Sequence, residues 1–512
     1  MNVVEVRTVG RGDLVAQASA LLGDGYRTAL VAGHDDRTSF GVVYVLVRPA
    51  DDSRVELVVE VPADDPWVPS LAAVDFSTGR WERALRDQLG VAPVGHPRPR
   101  RLVHHDHWPD DYHPLRHDAG EPELGPDTGR FDFVPVAGDG VFEIPVGPVH
   151  AGMIAPGHFR FSVVGETILR LKARLWFVHR GLERLFQGRT PDEGLALAER
   201  VSGDTAVGHC LAYAMAVEDA LVLEVAEPDR TLRALLLELE RAYNHVADLG
   251  MLGNDVGFGI LNVHAGRLRE TLLRLNQQVT GHRLLRGAIT VGGSRVQALP
   301  DPTTVRQVAD EAAQLVDIAL GHAVVVDRFT GTAVLRHDDA VALGALGYVA
   351  RASGVDADAR RDHPFVDLGP SFSVMTETSG DVMARFMVRA RELACSLALV
   401  TELTERLAEH RGTGWAAPVE PGTGPGPGPS TLVPGGAEPV AHRCGLALVE
   451  AWRGTVCHRV ELDTDGCLAR VAIADPSFAT WPALPVALAD TIVPDFPLAN
   501  KSFNLSYAGN DL

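Results

Sequence analysis

An α+β fold is predicted for this chain: a small mixed module at the N-terminus, then a mainly helical body that carries small β elements. Three observations predict it. Residues 38–61 alternate apolar and polar, with Val42, Tyr44 and Leu46 followed by Val55, Leu57 and Val59 around the turn Pro49-Ala50-Asp51-Asp52, the period of a hairpin. Leu232, Leu235, Leu236, Leu239, Tyr243, Val246 and Leu249 follow a three-four spacing after the start signal Pro228-Asp229. Residues 307–329 and 381–409 show the same spacing and are each long enough for a bundle helix.

Between these elements the chain is irregular. Residues 98–129 are rich in Pro, His and Asp without a sustained period, and read as an extended arm ending near Gly140. Residues 418–439, with the run Gly422-Thr423-Gly424-Pro425-Gly426-Pro427-Gly428-Pro429, cannot pack a core and read as an inserted surface loop.

With 512 residues, 46% apolar and 22% charged, the chain is long enough for two or more domains and for a large core. A formal charge of -20 argues against a nucleic-acid or polybasic membrane footprint. The five cysteines (Cys210, Cys395, Cys444, Cys457 and Cys467) form no Cys-x-x-Cys pair, which fits free thiols in a reducing compartment and leaves no iron-sulfur ligand set. No signal peptide is visible and no apolar run is long enough to span a bilayer, so a cytoplasmic location is expected, with membrane contact through partners. No strand-Gly-x-Gly-x-x-Gly-helix unit occurs, so NAD binding by this chain is not expected.

Two short windows carry the chemistry. Arg200-Val201-Ser202-Gly203-Asp204-Thr205 and Asp475-Pro476-Ser477-Phe478-Ala479-Thr480 have the spacing of Cys-x-x-Cys metal clamps with hydroxyls in place of thiolates. Around them lie Gly147-Pro148-Val149-His150, Gly157-His158-Phe159-Arg160-Phe161, Val178-His179-Arg180-Gly181-Leu182-Glu183 and Glu238-Leu239-Glu240-Arg241-Ala242-Tyr243-Asn244-His245. These resemble the nickel-iron hydrogenase-like large subunits, a family that includes the 49 kDa quinone-site subunit of complex I. The C-terminal stretch from Asn500 is similar to the hydrogenase-4 and formate hydrogenlyase branch. Trp81-Glu82-Arg83, Gly95-His96-Pro97 and Arg100-Arg101-Leu102 resemble the 30 kDa subunit of complex I. The resemblance implies a fusion, with residues 1–120 as the 30 kDa-like domain, 121–140 as a linker arm and 141–512 as the large-subunit-like domain.

In that family four thiolates of the two windows hold the metals; here the positions are Ser202, Thr205, Ser477 and Thr480. A hydroxyl stays protonated at neutral pH and is a hard, weak ligand, so a cavity without nickel or iron is expected. In complex I relatives a Tyr that helps bind quinone follows the first window position, and Gly203 stands there. The resemblance places His158 at the headgroup histidine and Asp255 at an acidic partner of the quinone-linked proton network. Glu183, Glu218 and Glu240 are expected to be surface carboxylates, with a place in a proton path as the alternative. His104, His105, His107, His113 and His117 are interleaved with Asp in the arm and are expected to contact a neighbouring subunit more than a metal.

The resemblance therefore implies the large subunit of a membrane-associated complex I-like or hydrogenase-4-like oxidoreductase. This chain would bind no cofactor; electrons would arrive from the clusters of an iron-sulfur small subunit and pass to a quinone or another acceptor, beside antiporter-like membrane-arm subunits that could couple ion translocation. The alternative is a catalytically inactive structural platform, favoured by the four hydroxyls and Gly203.

Overall fold

The alternating N-terminal stretch forms a four-stranded sheet in a computed structural model that describes residues 4–126, 128, 131, 133–151, 154–409 and 443–512. The strands are β1 (Glu5–Thr8), β2 (Arg27–Asp35), β3 (Ser39–Arg48) and β4 (Ser53–Pro62), in the order β1-β4-β3-β2. β1 runs parallel to β4 and the other pairs are antiparallel. The expected alternation is only part of the outcome. Every residue from Val42 to Val47 is buried, because this run is apolar on both faces and both faces are covered.

α1 (Leu14–Gly23) and α2 (Phe76–Leu89) complete the module. Asp75 caps α2 by accepting from the Ser77 N–H, and Gly90, at φ 78°, closes it in the left-handed region. The irregular arm then packs back on its own chain: the buried Asp87 accepts backbone N–H groups of Leu102 and Val103 at 2.7 Å.

β5 (Val141–Val146), β6 (His158–Val164) and β7 (Thr167–Arg174) make a second, antiparallel sheet. The helical body follows, with α3 (Ala206–Leu221), α4 (Glu227–Asp255), α5 (Gly259–Thr280), α6 (Pro302–Leu320), α7 (Ala323–Phe329), α8 (Gly347–Ala352) and α9 (Val382–Glu409). α4 packs between α5 and α9 and is buried along most of its length. The pattern over 307–329 corresponds to two helices, not one. Gly321 and His322 interrupt it, with His322 extended at φ -97° and ψ 111°, and the three-four spacing persists because α7 rejoins the same core.

A third sheet, β8 (Arg443–Ala451), β9 (Gly454–Leu462) and β10 (Leu468–Ala474), is wedged between α3 and the N-terminal module. All nine residues of β9 are buried. Glu56 on β4 meets Arg459 on β9 at 2.9 Å, and His34 on β2 meets Glu461 at 2.9 Å, so buried ion pairs tie module and body together. The chain ends with α10 (Pro476–Thr480), α11 (Phe496–Phe503) and a short terminal helix. Among the described residues no helix is long and apolar enough to cross a membrane. The expected surface loop at 418–439 lies outside the described residues.

Candidate functional site

Helix-start chemistry positions both windows. Asp475 caps α10 by accepting from the Ser477 N–H at 2.7 Å, with Pro476 in the first turn, which accounts for the Asp-Pro pair. The other window is the loop before α3, whose leading N–H groups, Val207 and Gly208, donate to Glu240 of α4 at 2.7 and 2.9 Å. Burial pushes the Glu240 carboxyl up to about 8 in spite of those donors.

The windows meet at the C-terminal stretch. Ser202 Oγ lies 2.9 Å from Ser506 Oγ, and the Ser506 N–H donates to Ser477 Oγ at 2.9 Å. Thr205 Oγ1 accepts from Trp452 Nε1 at 3.2 Å and Arg453 Nη1 at 3.3 Å. Thr480 Oγ1 points elsewhere and accepts from the Leu346 N–H at 3.1 Å. All four hydroxyl side chains are buried, whereas Gly203 is exposed and a Cβ added there would meet nothing within 4 Å.

An ion pair occupies the centre of this arrangement. Arg453, at the tip of the β8–β9 hairpin, donates to both oxygens of Asp204 at 2.6 and 2.7 Å, and its guanidinium stacks on Trp452 at 3.9 Å. Burial works to raise Asp204, but Arg453 outweighs it and holds the carboxyl below its usual range. Gly347, at φ 65°, lets the hairpin tip approach: a Cβ there would sit 1.8 Å from the Arg453 carbonyl oxygen. Sequence reasoning singles out neither Asp204 nor Arg453. An acidic residue between two buried hydroxyls is the available signal, and its partner lies 249 positions away.

Behind the pair is a second buried cluster. His209 Nε2 lies 2.9 Å from Asp475 Oδ2 and His209 Nδ1 lies 3.0 Å from His458 Nε2. Burial and the neighbouring His209 keep His458 well below its ordinary pKa, so it is neutral. Donation from His458 Nε2 to His209 Nδ1, and from His209 Nε2 to Asp475, orders these three side chains and leaves His458 Nδ1 buried without a partner.

His158 and Asp255 are not brought into contact with each other. His158 opens β6, half-buried, with Nδ1 3.2 Å from the Gly147 carbonyl oxygen and Nε2 buried without a partner. It lines a cavity of about 800 Å³ whose wall includes Phe131, Phe133, Phe177, Arg101 and Arg160. Asp255 ends α4 and pairs with Lys501 at 2.5 Å.

The expectation of surface carboxylates is corrected for two of three. Glu218 is buried on Arg233 at 2.5 Å and Glu240 is wholly buried, each offset by donors; Glu183 is half-buried and meets Arg470 at 2.8 Å. In the arm His104 is buried and stacked on Trp108, and burial pushes it down to about 3. His113 Nδ1 lies 3.1 Å from the Asp87 carbonyl oxygen. Among the described residues no group of three or more His, Cys, Asp or Glu is placed to hold a metal ion.

Comparison with known proteins matches this geometry to a lineage. Residues 8–123 match the respiratory-chain NADH dehydrogenase 30 Kd subunit, 180–251 the nickel-dependent hydrogenase family and 255–421 the respiratory-chain NADH dehydrogenase 49 Kd subunit. The chain is 33% identical over 499 residues to formate hydrogenlyase subunit 5 of Escherichia coli (strain K12), covering 94% of this chain and 84% of that protein. It is 32% identical over 504 residues to hydrogenase-4 component G of the same organism, covering 95% and 84%. The C/D-type NADH-quinone oxidoreductase polypeptide of Phocaeicola vulgatus is 30% identical over 402 residues, covering 72% and 76%. Among solved structures, a chain of the membrane-bound sulfane sulfur reductase, an archaeal respiratory membrane complex, shares the fold, with a TM-score of 0.62 and 24% identity over 74% of this chain and 100% of that one. The chain belongs to the family of formate hydrogenlyase subunit 5 and hydrogenase-4 component G, and joins complex I 30 kDa-type and 49 kDa-type sequences with a nickel-dependent-hydrogenase segment in one polypeptide.

Proposed function

We propose that the chain is the fused large subunit of a membrane-associated, complex I-like or hydrogenase-4-like oxidoreductase, peripheral on the cytoplasmic side through its partners. Electrons arrive from an iron-sulfur small subunit and pass to a quinone or another acceptor, next to membrane-arm subunits that move ions. One observation carries the redox reading: His158, whose Nε2 has no hydrogen-bond partner, lines a large cavity with aromatic and cationic walls. An imidazole there can hydrogen-bond an acceptor oxygen and deliver a proton as the oxygen gains electron density. The phenyl rings of Phe131, Phe133 and Phe177 offer apolar surface to a ring-shaped acceptor.

The space between the windows supports no metal chemistry in this reading. Its donors are hydroxyls engaged with Ser506, Asp204, Arg453 and Leu346, and a cation beside Arg453 would compete with its pairing to Asp204. Elemental analysis of the purified chain after chelator washing is expected to find no stoichiometric nickel or iron; about one nickel per chain would overturn this reading.

The second reading, an inactive structural platform, is favoured by the same hydrogen-bonded hydroxyls, which fill with structure the place where the family's ligands stand. The two separate on one measurement in the native complex. An acceptor analogue bound against His158, displaced by His158→Ala, supports the redox reading, and turnover indifferent to that substitution supports the platform.

A further inference from the structure

Beside the His158 cavity lies a smaller one, about 220 Å³, between α2, the arm and β7. Its wall includes Arg80, Arg83, Arg98, Arg100, Lys172 and Arg174, and none of the described residues lining it is Asp or Glu. Such a concentration is unexpected in a chain of formal charge -20. Arg100 also stands in the walls of the His158 cavity and of a third, about 450 Å³, which shares Arg80, Arg83 and Arg98.

Three of the arginines are held mainly by neutral acceptors. Arg83 donates to the carbonyl oxygens of Arg100 and Arg101 at 2.7 and 2.8 Å, and Arg174 to those of Leu102 and His104 at 2.5 and 3.0 Å. Arg80 donates to the neutral Asn510 at 2.9 Å and lies over the Trp176 and Phe478 rings, while its Nε is buried without a partner. Burial, with like-charged neighbours second, pushes Arg80 down to about 9 and Arg83 to about 10. Burial also pushes Arg174 down to about 10, although Asp87 works to raise it. The nearby carboxylates are otherwise engaged: Asp87 accepts arm N–H groups, Asp511 accepts from the Val178 N–H, and Glu143 holds Lys172 at 2.5 Å.

We infer that this cavity binds a phosphate group, carried either by a small solute or by a phospholipid headgroup. A concave, partly desolvated wall that gathers several guanidinium groups, with no Asp or Glu among its described residues, favours a compact dianion. A cavity of this size admits one phosphate-sized group and not a folded peptide segment.

The test uses the full-length chain in about 150 mM salt, titrated separately with inorganic phosphate, pyrophosphate, and vesicles of phosphatidylglycerol against vesicles of phosphatidylcholine. The comparison variant is Arg98→Glu/Arg170→Glu, at two exposed positions on the rim. The second is Arg80→Lys, which keeps the charge and removes the fork. Saturable binding of phosphate or pyrophosphate, weakened at least about tenfold in the charge-reversed variant and less in Arg80→Lys, supports a solute ligand. The same pattern on phosphatidylglycerol vesicles only supports a headgroup. Absence of binding to all three anionic probes, binding indifferent to both variants, or binding confined to an acidic polypeptide such as polyglutamate overturns the inference.

Discussion

Arg351→Met is expected to lower the unfolding free energy by roughly 3–5 kcal/mol, the range for removing one partner of a buried ion-pair network. Arg351 on α8 is fully buried; its Nε donates to Glu392 at 2.8 Å, its Nη1 to Glu450 at 2.7 Å, and Asp358 lies 3.5 Å away. These carboxylates belong to α9, β8 and the loop after α8, so one guanidinium joins three parts of the body. Met fills much of the same volume, which keeps the cavity contribution small and leaves the unpaired charge as the main loss. Glu392 keeps His245 at 2.9 Å, and Glu450 keeps the Thr455 hydroxyl at 2.8 Å, so the loss is not the whole desolvation of both. Adding Glu392→Gln to Arg351→Met should recover part of the stability, as neighbouring sites in one network are not additive. A denaturant midpoint unchanged by Arg351→Met would overturn this account.

The same network sets the acid response. Burial alone would raise Asp358, but Arg360 and Arg351 outweigh it and hold it at about 2; Glu392 is held well below the usual carboxylate range by Arg351 and His245 against the same burial. Because these folded-state values are depressed, their stabilisation is full above the unfolded carboxylate range, near about pH 4, and is lost as pH falls towards about 2. Denaturant midpoints should therefore drop across that window in the wild type and drop less in Arg351→Met, where part of the contribution is already gone.

These charges explain what was legible in the sequence and what was not. The hairpin over 38–61 and the α4 stripe are local patterns, fixed by residues two to four positions apart, and both became elements close to where the spacing placed them. The third sheet was harder to read. β9 is buried on both faces yet carries His458, Arg459 and Glu461, so neither alternation nor a clean apolar run marks it. The meeting of the two windows at Ser506 depends on contacts spanning 304 and 29 positions, and the Asp204–Arg453 pair on one spanning 249. No window statistic reaches that far. The family resemblance implies that the two windows line one site; Ser202 and Ser477 share Ser506 as a partner, Thr480 bonds to Leu346 instead, and the side chains between the windows are visible only in the folded chain.

The largest functional effect is expected at His158. In the assembled complex, His158→Ala should reduce acceptor turnover by about a hundredfold or more, the contribution of a positioned proton donor, while leaving assembly intact. The substitution removes one hydrogen bond to the Gly147 carbonyl and opens no core cavity, since the ring is half-buried on a cavity wall. Asp255→Ala tests whether the proposed proton supply extends to Asp255: it frees Lys501, whose side chain is 35% exposed and can reach water, so assembly should again survive. Loss of turnover in both variants would mean that proton supply runs through two separate places in the body; loss in His158→Ala alone would confine it to the cavity. Gly203→Tyr completes the set, because a Cβ added at Gly203 meets nothing within 4 Å and the added phenol supplies the donor that the resemblance to complex I subunits implies at this position. A gain of quinone reductase activity in Gly203→Tyr would show that the first window still faces the acceptor. If that variant binds no quinone and His158→Ala turns over like the wild type, the redox reading fails and the platform reading replaces it.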